Sequence, residues 1–67
     1  MTRLMTAKQV SDLLQIKIST VYSWTHINFI PHVKLGRAVR FDPEKIERWV
    51  RMKERKGRLK QRLYIAL

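Results

Sequence analysis

Ser19, Tyr22, Ser23 and His26 recur at i, i+3, i+4 and i+7, so a helix through this stretch carries all four on one face. Each can donate a hydrogen bond outward. Val21, Trp24 and Ile27 fall on the opposite side, where such a helix would dock on a core. A second set of donors follows in HVKLGRAVRF, where Lys34, Arg37 and Arg40 alternate with apolar residues. In a chain of 67 residues with formal charge +10, the partner that suits donors backed by cations is a polyanion, nucleic acid first.

Catalytic chemistry finds no footing. An enzyme needs a convergent acid, base or nucleophile set. Here the five acids are one near the end of the first helical stretch and four around the third, where caps and ion pairs account for most of them. His26 and His32 lie six apart with no cysteine or nearby acid, so they read as surface histidines rather than metal ligands. The chain has no cysteine, which excludes disulfides and thiolate zinc and leaves no tie to an oxidising compartment. No cofactor is expected.

Charge is unevenly placed. Residues 1–31 hold three Lys or Arg against one acid, and residues 32–67 hold twelve against four. A basic amphipathic segment could lie on anionic membrane, but RMKERKGRLKQR lacks a continuous apolar face, which favours nucleic acid. The N-terminus MTRLMTAKQV lacks a signal-peptide pattern, and no apolar run approaches the ~20 residues that span a bilayer. The expectation is a cytoplasmic, nucleoid-associated protein without membrane or small-molecule partners.

The elements that must position the donors read as follows. Thr6 and Gln9 form a capping box, with Met5 and Val10 placed as a hydrophobic staple, so α1 begins near Ala7 and ends near Leu14. Val10, Leu13 and Leu14 are its expected buried face, with Lys8, Ser11 and Asp12 outside. Gln15 to Lys17 make a turn that Ile16 plugs, and α2 runs from about Ile18 to His26. Asn28 suits a left-handed position after α2, and Pro31 stops helix from resuming.

Two short strands then flank Gly36. A three-residue loop would put Val33, Leu35, Val39 and Phe41 on one face and Lys34 and Arg40 on the other; a two-residue Gly36-Arg37 turn mixes the faces. The segregated register is the expected one, with Arg37 at the tip. Asp42, Pro43 and Glu44 then spell cap, first helical residue and dipole-matched acid. Helix α3 should bury Ile46, Trp49 and Val50, pair Glu44 with Arg48 and Glu47 with Arg51, and end at Gly57. Trp24 and Trp49, both on apolar faces, are expected to pack rather than stack on bases. RLKQRLYIAL beyond Gly57 reads equally as a helical turn, a strand or a partner-binding tail.

The words MTAKQVSDLL, STVYSW and IPHVKLGRAVRFDPEKIERWV, in this order, resemble the small winged helix-turn-helix domains of phage excisionases and AlpA-type regulators, relatives of the MerR DNA-binding domain. The resemblance covers Met5 to Val50. It implies an α+β winged helix-turn-helix fold in the order helix, helix, hairpin, helix, with a DNA-binding domain over residues 1–57 and a basic and apolar tail over 58–67. It further implies that the second helix enters the major groove of double-stranded DNA while the hairpin wing touches the minor groove or backbone. Thr20, Tyr22, Ser23, Lys34, Arg37 and Arg40 match positions on the DNA side, and Ser19 and His26 join them from the polar face of α2.

Three positions depart from the family pattern: Gln15 stands where Gly is usual, Lys17 where a small hydroxyl caps helix two, and Ser23 where Arg is common. Left-handed Gln15 should cost about 1 kcal/mol. Either Ser19 caps a slightly later helix or the missing cap costs about 1 kcal/mol. The implied functions are an excisionase that bends attachment-site DNA for an integrase, with copies bound side by side, or a small transcriptional regulator. A protein-interaction adaptor docking through RLYIAL is the alternative.

Overall fold

The computed structural model describes residues 3–55. Gly57 and the tail 58–67 lie outside them. The order is α1 (Ala7–Leu14), α2 (Ile18–His26), β1 (Val33–Leu35), β2 (Ala38–Arg40) and α3 (Pro43–Lys53): an α+β winged helix-turn-helix.

Local bonds set each boundary. Thr6 Oγ1 accepts the Gln9 N–H at 3.2 Å while Gln9 Oε1 accepts the Thr6 N–H at 2.9 Å, the reciprocal capping box. Helix α1 ends where Gln15 turns left-handed (φ 56, ψ 48). Ser11, expected outside, is instead buried: its carbonyl accepts the Ile16 N–H and its hydroxyl donates to the Ile16 carbonyl at 2.7 Å. Both groups are satisfied by the turn, so burying this serine costs little. Leu13, expected inside, is 60% exposed. Ala7, Val10 and Leu14 form the row that meets the core, and Leu13, about 100° away around the helix, lies at the rim of the groove between α1 and α3.

Helix α2 starts at Ile18 from Lys17, which makes no side-chain cap, so the cap is lost rather than passed to Ser19. Its end is a Schellman motif: Phe29 N–H to Trp24 carbonyl at 2.8 Å, Asn28 N–H to Thr25 carbonyl at 3.1 Å, and Asn28 left-handed at φ 59. Ile27, expected on the docking side, is 66% exposed because the chain leaves the helical path there; Ile30, after the turn, is buried instead.

The hairpin corrects the expected register. Val33 pairs with Arg40, Lys34 with Val39 and Leu35 with Ala38, closing a two-residue Gly36-Arg37 loop. Gly36 has φ 65 and Arg37 does not share the positive φ, the type II′ pattern whose twist suits a hairpin. Cross-strand partners share a face, so Lys34 lies with Val39 and Arg40 with Val33, Leu35 and Ala38. Basic and apolar residues are mixed, and Leu35 is left exposed. The base of the hairpin is clasped by a two-bond bridge between Met5 and Phe41, at 2.7 and 2.9 Å.

Asp42 Oδ1 accepts the Glu44 N–H at 3.0 Å, and Pro43 opens α3. The helix stops at Lys53 with Glu54 extended, four residues before the expected Gly57. Glu47 and Arg51 form the anticipated pair at 3.1 Å. Ile46 is buried, whereas Val50, expected inside, stands 40% exposed at the rim of the α1–α3 seam. The core gathers Ala7, Val10, Val21, Ile30, Phe41 and Ile46 from every helix and from the hairpin base, with Trp24 and Trp49 packed against it.

Candidate nucleic-acid interface

Val21, with no exposed surface, and half-buried Trp24 hold α2 on the core and fix its rotation. Ser19, Tyr22, Ser23 and His26 consequently all face outward, while Thr20 is half-buried beside them. Tyr22 is 54% exposed. The side chains of Tyr22, His26, Lys34 and Arg37 have no partner among the described residues, so their donors are directed to solvent.

The observed register aims Lys34 toward α2. Because Lys34 shares a face with Val39, it helps close a groove of about 500 Å³ between the hairpin and α2, lined by Tyr22, Thr25, His26, Asn28, His32 and Lys34 above Val39. Three of the eight expected site residues meet there. Arg37 stands exposed at the tip. Arg40 belongs to the other hairpin face, and its Nη1 donates to the Val39 carbonyl at 2.8 Å, which tethers it to the strand. Lys34 and Arg40 therefore do not project together.

Thr25, Asn28 and His32 were not among the site residues expected from the sequence. The Thr25 hydroxyl donates to the Val21 carbonyl at 2.8 Å, and His32 Nδ1 donates to the Ile30 carbonyl at 2.8 Å, which leaves Nε2 as its outward atom. His32 was discoverable, since it stands two residues before Lys34 and strand alternation puts both on one side. Asn28 was placed by the Schellman motif, a reading of backbone that said nothing of the groove.

Charge reinforces the geometry. Between Gln15 and Phe41 there are four cations, Lys17, Lys34, Arg37 and Arg40, and no acid; all five acids lie on α1, on α3 or at the two ends of α3. The face built by α2 and the hairpin is thus the unneutralised side of the molecule. Among the described residues no group of His, Cys, Asp or Glu is placed to hold a metal ion, and no helix is long and apolar enough to cross a membrane.

Two helices joined by a three-residue turn, a short hairpin beside the second and a third helix behind define the winged helix-turn-helix class. The family described as a helix-turn-helix domain matches residues 4–54, which takes in all five elements, and the chain belongs to that family. DNA binding is the class of function that this membership supports, and the family is typically non-enzymatic. No curated protein and no solved structure gives a significant match.

Proposed function

We propose that the protein is a sequence-specific DNA-binding protein of mobile-element type, an excisionase or a small transcriptional regulator acting in the cytoplasm. In this reading α2 enters the major groove with Ser19, Thr20, Tyr22, Ser23 and His26, and Lys34 and Arg37 meet the flanking backbone or minor groove. Arg40 completes the set from the far side of the hairpin. Residues 1–57 act as the DNA-binding domain and 58–67 as its tail. Its partners are double-stranded DNA and either an integrase or further copies of itself on adjacent sites. Its action is positional, with phosphate contacts fixing orientation and base contacts carrying sequence.

The observation that carries the reading is the acid-free surface from Gln15 to Phe41, which joins the exposed donors of α2 to Lys34 across one groove. The test is selection from a random duplex pool followed by a salt titration on the winning site. A defined motif and an affinity that falls steeply with salt are expected, with a slope of about −0.9 per phosphate neutralised. Absence of enrichment, or binding indifferent to salt, would remove the proposal. Placing the selected site beside an integrase binding site, and measuring bending and cooperative filling there, separates recombination from transcription.

A further inference from the structure

A duplex separates its major from its minor groove by a sugar-phosphate backbone, so a helix in one and a wing in the next must straddle a strand. With α2 and the hairpin as those two parts, the place left for the strand is the groove of about 500 Å³ between them. His32 lines that groove together with Tyr22, His26 and Lys34. It stands one residue before β1 and is half-buried, so its ring is held in place rather than free in solvent.

One side of that ring is already committed. Nδ1 lies 2.8 Å from the Ile30 carbonyl, an oxygen that only accepts, so Nδ1 carries a proton in this contact. A neutral imidazole has a single N–H, which leaves Nε2 a bare acceptor. A phosphate oxygen also only accepts, so neutral His32 has nothing to give it. His26 differs, because its ring has no partner among the described residues and can turn a donor outward while neutral. No carboxylate lines the groove, and the other groups there that can bear positive charge are Lys34 and His26. The lining thus offers an imidazolium at His32 no counter-charge, and a phosphate supplies one.

We infer that His32 is a proton-coupled DNA contact: it binds a backbone phosphate through Nε2–H and takes up a proton from solvent as the complex forms. This role presupposes the DNA interface of α2 and the hairpin, and adds to it the seat of one strand. In the complex Nδ1–H donates to Ile30 and Nε2–H to the phosphate, so the ring becomes a cationic bridge between chain and ligand. The complex then holds one proton more than its separated parts, and affinity rises as pH falls through the range where histidine titrates. Lysine and arginine titrate far above that range and give affinity no slope within it.

The test is affinity for a selected duplex at fixed salt, from about pH 8 down to about pH 5.5, for the full chain and its His32→Gln and His26→Gln variants. The parent should gain about tenfold, the low end for a hydrogen bond to a charged group. His32→Gln should flatten the profile, whereas His26→Gln should lower affinity and keep the gain. A flat parent profile overturns the inference, and so does a His32→Gln variant weakened equally at every pH, which would make the residue a positioning element of the wing. Failure to bind any duplex removes the DNA reading itself, while binding without a pH gain removes only the role of His32. Long-range proton–nitrogen NMR spectra of the parent give a readout that needs no variant to fold. Free His32 at about pH 8 should carry its proton on Nδ1, and in the complex at about pH 6 both ring nitrogens should be protonated. A proton on Nε2 in the free protein, or a neutral ring in the complex, would overturn the inference.

Discussion

Trp24 and Phe29 meet edge to face with ring centroids 5.2 Å apart, and this contact is the side-chain half of the motif whose Phe29–Trp24 backbone bond ends α2. Trp49 closes the triangle from α3, 5.8 Å from Trp24 and 5.5 Å from Phe29. Lys53 covers the outer edge, its Nζ 4.7 Å from the Phe29 ring centre. The end of α2 and the position of α3 are thus secured by one aromatic cluster.

Replacing Trp49 with Ala removes two of the three ring contacts and should destabilise the domain by about 3 kcal/mol, the low end for an aromatic truncation because the ring is half-buried. Phe29→Ala keeps the Trp24–Trp49 pair and should cost about 1 kcal/mol. Urea denaturation followed by tryptophan fluorescence ranks the two; strictly additive losses in the double variant would mean that the rings do not act as a cluster.

Two local defects should be repairable. Gln15 holds a left-handed conformation and Lys17 leaves α2 uncapped. Gln15→Gly should gain about 0.5–1 kcal/mol, the relief at positive φ being partly offset by a freer unfolded chain. Lys17→Ser should gain about 1 kcal/mol. Thermal unfolding of both single variants checks this, and a loss in either would mean that the side chain serves a contact that outweighs its strain.

Ser11→Ala should cost about 1–2 kcal/mol, because it strips the donor from the half-buried Ile16 carbonyl. The measurement is equilibrium unfolding, with Asp12→Ala as the exposed control that should change stability by less than about 0.5 kcal/mol.

On a selected DNA site, Ser23→Ala should change base preference more than affinity, whereas Tyr22→Phe should weaken all sequences alike through a lost phosphate contact. Competition binding with single-base variants of the site distinguishes the two. If neither substitution has an effect, α2 is not the reading helix.

The wing should contribute two phosphate contacts. Lys34 and Arg37 have no intramolecular partner among the described residues, while Arg40 is held on the Val39 carbonyl. Converting Lys34 and Arg37 together to Gln should flatten log affinity against log salt by about 1.8 units. Arg40→Gln should change the slope by well under 0.9. A full loss from Arg40 would show that its tether opens on DNA.

Much of the fold was legible because its boundaries are written in short-range chemistry. The Thr6–Gln9 box, Asn28 after α2 and the Asp42-Pro43-Glu44 start each need only neighbours a few residues away. The outward face of α2 followed from helical spacing alone. What failed depended on whether another element or the adjoining turn meets the side chain, which spacing alone does not state. Leu13 and Val50 have apolar spacing but no element laid over them among the described residues, and Ser11 has polar spacing but a carbonyl to satisfy it in the next turn.

The register failed for a different reason. Segregating basic from apolar residues is the cheaper arrangement for an isolated hairpin, but Gly36 favours the two-residue turn, and the core takes Val39 from β2 and Phe41 from just beyond it. Lys34 is carried to the groove side by that choice. The half of the candidate site that lies on the hairpin was therefore misread in orientation.

The clasp between Met5 and Phe41 joins residues 36 apart in sequence through a pair of backbone bonds. It denies the wing an independent hinge at its base: to swing, the hairpin would have to drag the leading edge of α1 with it. Amide hydrogen exchange at Met5 and Phe41 should accordingly be slow and should track global unfolding, while Leu35 and Arg37 at the far end exchange by local fraying. The wing behaves as a cantilever, stiff where it is rooted and compliant only over its outermost turn.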